Sequence, residues 1–177
     1  MNYFELYGIP VKMKPDNKQV RAKFYELSRL YHPDFFSQSS PAEQAEALSK
    51  SSDINKAFKT FQNPDETIRY VLQMHGMALD EEKFNLDPMF LAEVMDINEQ
   101  LMDLEGEADS KKITETEKMA KQVQNDLYTE VATTIESYDH NSISKEELDL
   151  VKEYYYKKKY LQRILDRIGQ IRNIALR

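Results

Sequence analysis

The stretch Arg29-Leu30-Tyr31-His32-Pro33-Asp34-Phe35-Phe36 decides how the first part of this chain is read. Pro33 has no N–H to give to a helix and drives His32 out of the α region, so a helix arriving from upstream ends near Tyr31. That helix is visible: Val20, Phe24, Leu27 and Tyr31 recur at helical spacing, and Asp16 stands three residues before Gln19 as an N-cap. Downstream, Ser40, Pro41 and Glu43 supply an N-cap, a proline at the first helical position and a capping-box acid. The helix they open turns Ala45, Leu48, Ile54, Ala57, Phe58 and Phe61 toward a core and stops at Asn63-Pro64. Two antiparallel helices thus flank a stiff polar turn. Pro33 fixes φ, Asp34 offers a charged acceptor and His32 offers a donor, which suits a turn displayed to a partner. The plainer reading is that Pro33 and Asp34 only terminate a helix.

Moving outward, Tyr3, Phe4, Leu6 and Tyr7 make one or two helical turns before Gly8 and Pro10. A short helix carrying Ile68, Val71 and Leu72 runs to Gly76, and residues 76–87 read as a linker. Beyond Pro88 the pattern changes to long helices. Phe90, Val94, Ile97, Leu101 and Leu104 form a seam on a helix reaching Gly106. Ala120, Val123, Leu127, Val131 and Ile135 share a face of a helix from about Ile113 to Tyr138. Asn141 marks a turn, and Ser144 with Glu147 opens a last helix through Leu148, Val151, Tyr155, Leu161, Ile164, Leu165, Ile168, Ile171 and Ala175. Three helices joined by short turns suggest a bundle.

Composition narrows the chemistry. The 177 residues contain no Cys and three His, which excludes disulfides, thiolate metal sites and cysteine nucleophiles and leaves no set for a histidine-only metal centre. No apolar run is long enough to span a bilayer and no basic-then-apolar leader is present, so a cytoplasmic protein is expected. Residues 76–177 hold 22 of the 31 acidic residues and 14 of the 24 Lys and Arg, a balance that argues against general nucleic-acid binding. No nucleophile, phosphate loop or metal set points to an enzyme.

The tripeptide His32-Pro33-Asp34, with Tyr31 before it, Ile54-Asn55-Lys56-Ala57 on the next helix and Asn63-Pro64 closing that helix, resembles the J-domain. The opening Asn2-Tyr3-Phe4-Glu5-Leu6-Tyr7-Gly8-Ile9-Pro10, with Arg69-Tyr70-Val71-Leu72 and Gly76, resembles the HscB type of J-domain protein, and the likeness spans nearly the whole chain. It implies an all-α, L-shaped pair of domains: a J-domain over 1–75, a linker over 76–87 and a C-terminal three-helix bundle over 88–177. It implies a co-chaperone without enzymatic activity or cofactor. Its His32, Pro33 and Asp34 would stimulate the ATPase of a DnaK/HscA-class chaperone, helped by basic Arg21, Lys23 and Arg29. Tyr25 and Glu26 stand where many J-domains carry further cations.

A second apolar stripe, Leu91, Met95 and Met102, lies beside the seam on the bundle's first helix and is edged by Asp96, Glu99 and Asp103. One helix does not easily bury both faces, so the stripe reads as a docking surface for a partner with exposed Lys or Arg, the bland alternative being additional core. The family resemblance implies that Leu91, Met95, Asp96, Glu99, Asp103 and Tyr160 bind the iron-sulfur scaffold protein IscU, with Ala92 smaller than in relatives. Two other readings stand beside this one. One is a general J-protein for a different client; the other is a helical nucleic-acid binder using Tyr154, Tyr155 and Tyr156 with Lys157, Lys158 and Lys159. Consecutive residues on a helix point in different directions, so lysines covering partly buried tyrosines are preferred over a stacking platform. His75 and His140 sit at helix ends and read as caps.

Overall fold

The computed structural model describes residues 1–79 and 84–175. Its contacts divide the chain into two compact units, Met1–Met77 with Ile135–Ile143, and Ala78–Thr134 with Ser144–Arg177. Every regular element among the described residues is helical.

The first unit holds α1 (Tyr3–Tyr7), α2 (Asn17–Leu30), a 3-10 turn (Pro33–Phe36), α3 (Pro41–Gln62) and α4 (Pro64–Met74). Their boundaries follow from capping chemistry. Asn2 and Glu5 form a capping box on α1, which ends on Gly8 at φ 60°, a left-handed position that a Cβ would strain. The Asp16 side chain accepts from Gln19 N–H at 2.7 Å. Ser40 and Glu43 close the reciprocal box at the start of α3. Asn63 serves two helices: its backbone ends α3, while its Oδ1 accepts from the Asp65 and Glu66 N–H groups at the start of α4.

Phe4, Tyr7, Val20, Ile54, Ala57, Phe61, Val71 and Leu72 form the buried core of this unit. Tyr7 is anchored by donating its hydroxyl proton to the Ile54 carbonyl at 2.7 Å, and burial pushes its phenol well above the ordinary range. Phe24 of α2 stacks on Phe58 of α3 with centroids 4.0 Å apart. The inward line of α3 passes through Ala47, Ile54, Ala57 and Phe61. Ala45 and Leu48, expected in the core, are exposed, Leu48 at 62%. Leu48 lies six residues before Ile54, about a third of a turn out of phase with the buried line at 3.6 residues per turn.

Residues 135–143 pack with this first unit, although the sequence pattern assigned them to the C-terminal bundle. The cause is Tyr138, which is 2% exposed. Its hydroxyl lies 2.7 Å from His75 Nε2 and 2.9 Å from His140 Nδ1, and its carbonyl accepts from Lys12 Nζ at 2.9 Å. His75 does stand at the end of α4, but its ring serves this phenol rather than a helix carbonyl. Burial holds the Tyr138 phenol up at about 12, and burial, with His140 beside it, pushes His75 down.

The second unit contains α5 (Pro88–Glu93), α6 (Met95–Gly106), most of α7 (Ser110–Glu136) and α8 (Lys145–Ala175). The sequence led us to expect one helix from Pro88 to Gly106; it is interrupted at Val94, whose ψ of 4° leaves the helical range. Val94 nevertheless keeps its N–H on the Phe90 carbonyl and its own carbonyl on Asn98 N–H, both at 3.1 Å. The seam stays inward across the break, with Phe90, Val94, Ile97 and Leu104 buried and Leu101 half-buried. Ile113, Ala120, Leu127 and Val131 of α7 and Leu148, Val151, Leu161, Ile164 and Ile168 of α8 complete the unit's buried apolar set. At 1.5 Å per residue α8 is about 45 Å long.

Polar ties join these helices. Thr116 donates to Gln100 Oε1 at 2.9 Å, Arg167 pairs with Glu105 at 2.6 Å, and Arg172 with Lys121 grips Glu117. Residues 80–83 of the expected linker lie outside the described residues. At its far end Phe84 stacks on Tyr156, centroids 3.9 Å apart.

Candidate partner-binding surfaces

The turn after α2 is built by short-range bonds. Tyr31 ends the helix with its N–H on the Leu27 carbonyl at 3.0 Å, and His32 takes the extended conformation that a following proline demands. Phe35 N–H then bonds the His32 carbonyl at 3.0 Å, closing the 3-10 turn. His32 Nδ1 accepts from Asp34 N–H at 3.3 Å. A neutral imidazole accepting at Nδ1 carries its proton on Nε2, so that N–H is the donor left for a partner. The side chains of His32 and Asp34 are 53% and 86% exposed. Neither is buried in the protein.

Phe35 was not singled out by the sequence reading. It is 72% exposed, and its ring meets the His32 imidazole edge-on at 5.8 Å. The signal was an aromatic in a turn with no helical repeat to give it a core partner. On α2, Arg21 and Arg29 are exposed and form no ion pair with any described residue, whereas Lys23 is held by Glu26 at 2.9 Å. Two of the three expected cations are therefore available; the third has a local counter-ion to displace.

In the second unit, Leu91 is 41%, Met95 52% and Met102 72% exposed. They are surface, as expected of a docking stripe and contrary to a reading as extra core. Met89, which the sequence reading passed over, is also exposed. Asp96, Glu99 and Asp103 are exposed and have no ion-pair partner among the described residues; Ala92 is exposed as well. Tyr160 is half-buried: its ring meets Phe90 edge-on at 5.7 Å, and its hydroxyl accepts from Asn98 Nδ2 at 2.8 Å. That contact fixes Tyr160 against α5 and α6, with its own hydroxyl proton still to donate.

The cluster on α8 behaves differently from a nucleic-acid platform. Tyr154, Tyr155 and Tyr156 are all buried, more deeply than expected, and Lys158 and Lys159 lie over the Tyr154 and Tyr155 rings at 6.0 and 5.5 Å. Rings so enclosed offer no face on which a base can stack.

Comparison with known proteins fits this arrangement. Residues 86–169 match the family model described as the HSCB C-terminal oligomerisation domain. The human co-chaperone protein HscB superposes with a TM-score of 0.79 at 28% identity, covering 96% of this chain and 81% of the human one. The chain is therefore similar to HscB co-chaperones, in sequence over residues 86–169 and in fold over nearly its full length. Chaperone HscB from Vibrio cholerae shares the fold, with a TM-score of 0.78 at 23% identity and 99% of each chain covered. No helix among the described residues is long and apolar enough to cross a membrane.

Proposed function

We propose that this chain binds the iron-sulfur scaffold protein IscU through its C-terminal helices and stimulates the ATPase of a DnaK/HscA-class chaperone through the His32-Pro33-Asp34 turn, in the cytoplasm. Residues 1–75 act as the J-domain, 76–87 as the linker and 88–177 as the scaffold-binding bundle. The observation that carries the reading is the display of His32 and Asp34 on a turn whose backbone is already bonded to itself. Little ordering remains to be done when a partner arrives, so the binding energy of those groups is not spent on fixing the loop.

At the turn, His32 Nε2–H donates to an acceptor on the chaperone and Asp34 receives an Arg or a backbone amide. Arg21 and Arg29 bring positive charge to an acidic face and raise the encounter rate. The bundle supplies Leu91 and Met95 as apolar contacts, with Asp96, Glu99 and Asp103 facing Lys or Arg of the scaffold and Tyr160 adding aromatic surface. The protein performs no chemistry. Carrying both binding functions on one chain turns the second encounter into an effectively intramolecular one, which promotes cluster transfer from the scaffold as the nucleotide is hydrolysed.

The test is the steady-state ATPase of the cognate DnaK-class chaperone with wild type and His32→Gln, each with and without IscU. Wild type is expected to stimulate, and to stimulate more with scaffold. His32→Gln is expected to lose the stimulation in both conditions; full stimulation by the variant rejects the reading.

A further inference from the structure

A groove of about 570 Å³ opens in the second unit between the α5–α6 side and α7. Its floor is apolar, formed by Ile97, Met119 and Val123. Its rim is acidic: Glu93 and Asp96 on one side and Glu115 on the other, against the single cation Lys118. Glu93 and Asp96 have no ion-pair partner among the described residues, and Glu115 reaches only Lys111, at 4.0 Å. Two unpaired carboxylates and a third held only at 4.0 Å around an apolar floor favour a ligand that carries positive charge beside a hydrophobic group.

We propose that this groove is a second contact for the scaffold protein, accepting one apolar side chain flanked by Lys or Arg. The proposal rests on the scaffold-binding reading given above and extends it to a face of α7. Asp96 supplies the continuity, since it edges the Leu91 and Met95 stripe and also lines the groove. A chain seated on the stripe therefore has the groove within reach. Net charge favours a basic partner over a second copy of this protein, the occupant that the oligomerisation name of the matched family model would suggest and that sedimentation velocity separates. Residues 76–177 hold 22 acidic and 14 basic residues, so self-association would bring like charge to an acidic rim. An apolar floor with its polar groups spread along an open rim suits a peptide segment better than a small metabolite, which needs polar groups converging on it.

The experiment is calorimetric titration of the full-length protein with purified IscU, comparing wild type, Val123→Arg, Glu93→Lys and the double variant Leu91→Ala with Met95→Ala. Thermal melts by circular dichroism accompany each variant. Val123→Arg fills the groove with a cation and is expected to weaken binding about tenfold, while scaffold-free stimulation of the chaperone ATPase stays at the wild-type level. Glu93→Lys, an exposed change, is expected to weaken binding severalfold and decides the matter if Val123→Arg melts early. Should both groove variants bind like wild type while the stripe double variant fails, the groove proposal is overturned and the scaffold reading stands. If the stripe variant also binds like wild type, both fall. Sedimentation velocity showing a wild-type dimer that Val123→Arg dissolves, with scaffold binding unchanged, assigns the groove to a second copy and likewise overturns the proposal.

Discussion

The His32 turn and the Leu91–Met102 stripe are two surfaces built on opposite principles. The turn concentrates its function in three consecutive residues, held by bonds that span no more than three positions, and the groups that His32 and Asp34 expose are polar. The stripe spreads over two helices separated by the Val94 break, and what it offers is apolar area with carboxylates at the edge. A polar turn acts through geometry, so one wrong atom removes it. An apolar stripe acts through area, so each truncation removes a share. The contrast teaches that substitutions should produce nearly all-or-none effects on one surface and graded effects on the other.

The largest effect tests the first half of that contrast. His32→Gln is expected to lower chaperone ATPase stimulation more than about tenfold while scaffold affinity stays within about twofold of wild type; a graded loss would break the comparison. Next, Leu91→Ala and Met95→Ala are each expected to weaken scaffold binding by about threefold to tenfold, and the pair by roughly the product, read by calorimetry. If a single truncation removes all binding, the stripe acts through one anchor rather than shared area.

A smaller change is expected from the acidic edge. Replacing Asp96, Glu99 and Asp103 by their amides should slow scaffold association and flatten its dependence on salt, measured by stopped flow from ~50 to ~500 mM salt, where screening shortens from roughly 14 to 4 Å. The smallest concerns support of the second unit. Arg172, and after it Lys121, hold the Glu117 carboxyl down at about 2 from an ordinary 4.5. A folded value below the unfolded one means that this stabilisation is complete above about pH 4.5 and is lost as pH falls toward 2. Because these side chains are partly exposed, about 0.5–1 kcal/mol is at stake. Urea melts at pH 5 and pH 3 should show a larger loss in wild type than in Arg172→Leu, where Lys121 alone still holds the carboxylate.

Most of the fold was legible because its signals are local. The capping box at Ser40, the Asp16 cap and the Asn63-Pro64 junction are written in neighbouring residues, and the helix boundaries followed them. The stripe was legible for a similar reason, since a second apolar row on one helix has to go somewhere. What escaped depended on distant partners. The placement of residues 135–143 turns on the Tyr138 hydroxyl finding His75, 63 positions away, which no periodicity encodes. Leu48 was misassigned because α3 is 22 residues long and alanines alternate with polar residues in its first half, so its phase is set by Ile54, Ala57 and Phe61 further on. The Val94 break is backbone geometry at a valine, with neither Gly nor Pro to announce it.

The edge-on contact between Phe35 and His32 also makes the turn its own reporter. An aromatic ring 5.8 Å from the imidazole shifts the magnetic resonance of the imidazole carbon-bound protons through its ring current, so any rearrangement of the pair moves a signal that needs no attached label. The chain has three histidines, and the other two share the Tyr138 hydroxyl, which sets their environment apart. Titrating the chaperone into the protein should therefore displace one histidine spectrum selectively, and Phe35→Leu should move that spectrum before any partner is added.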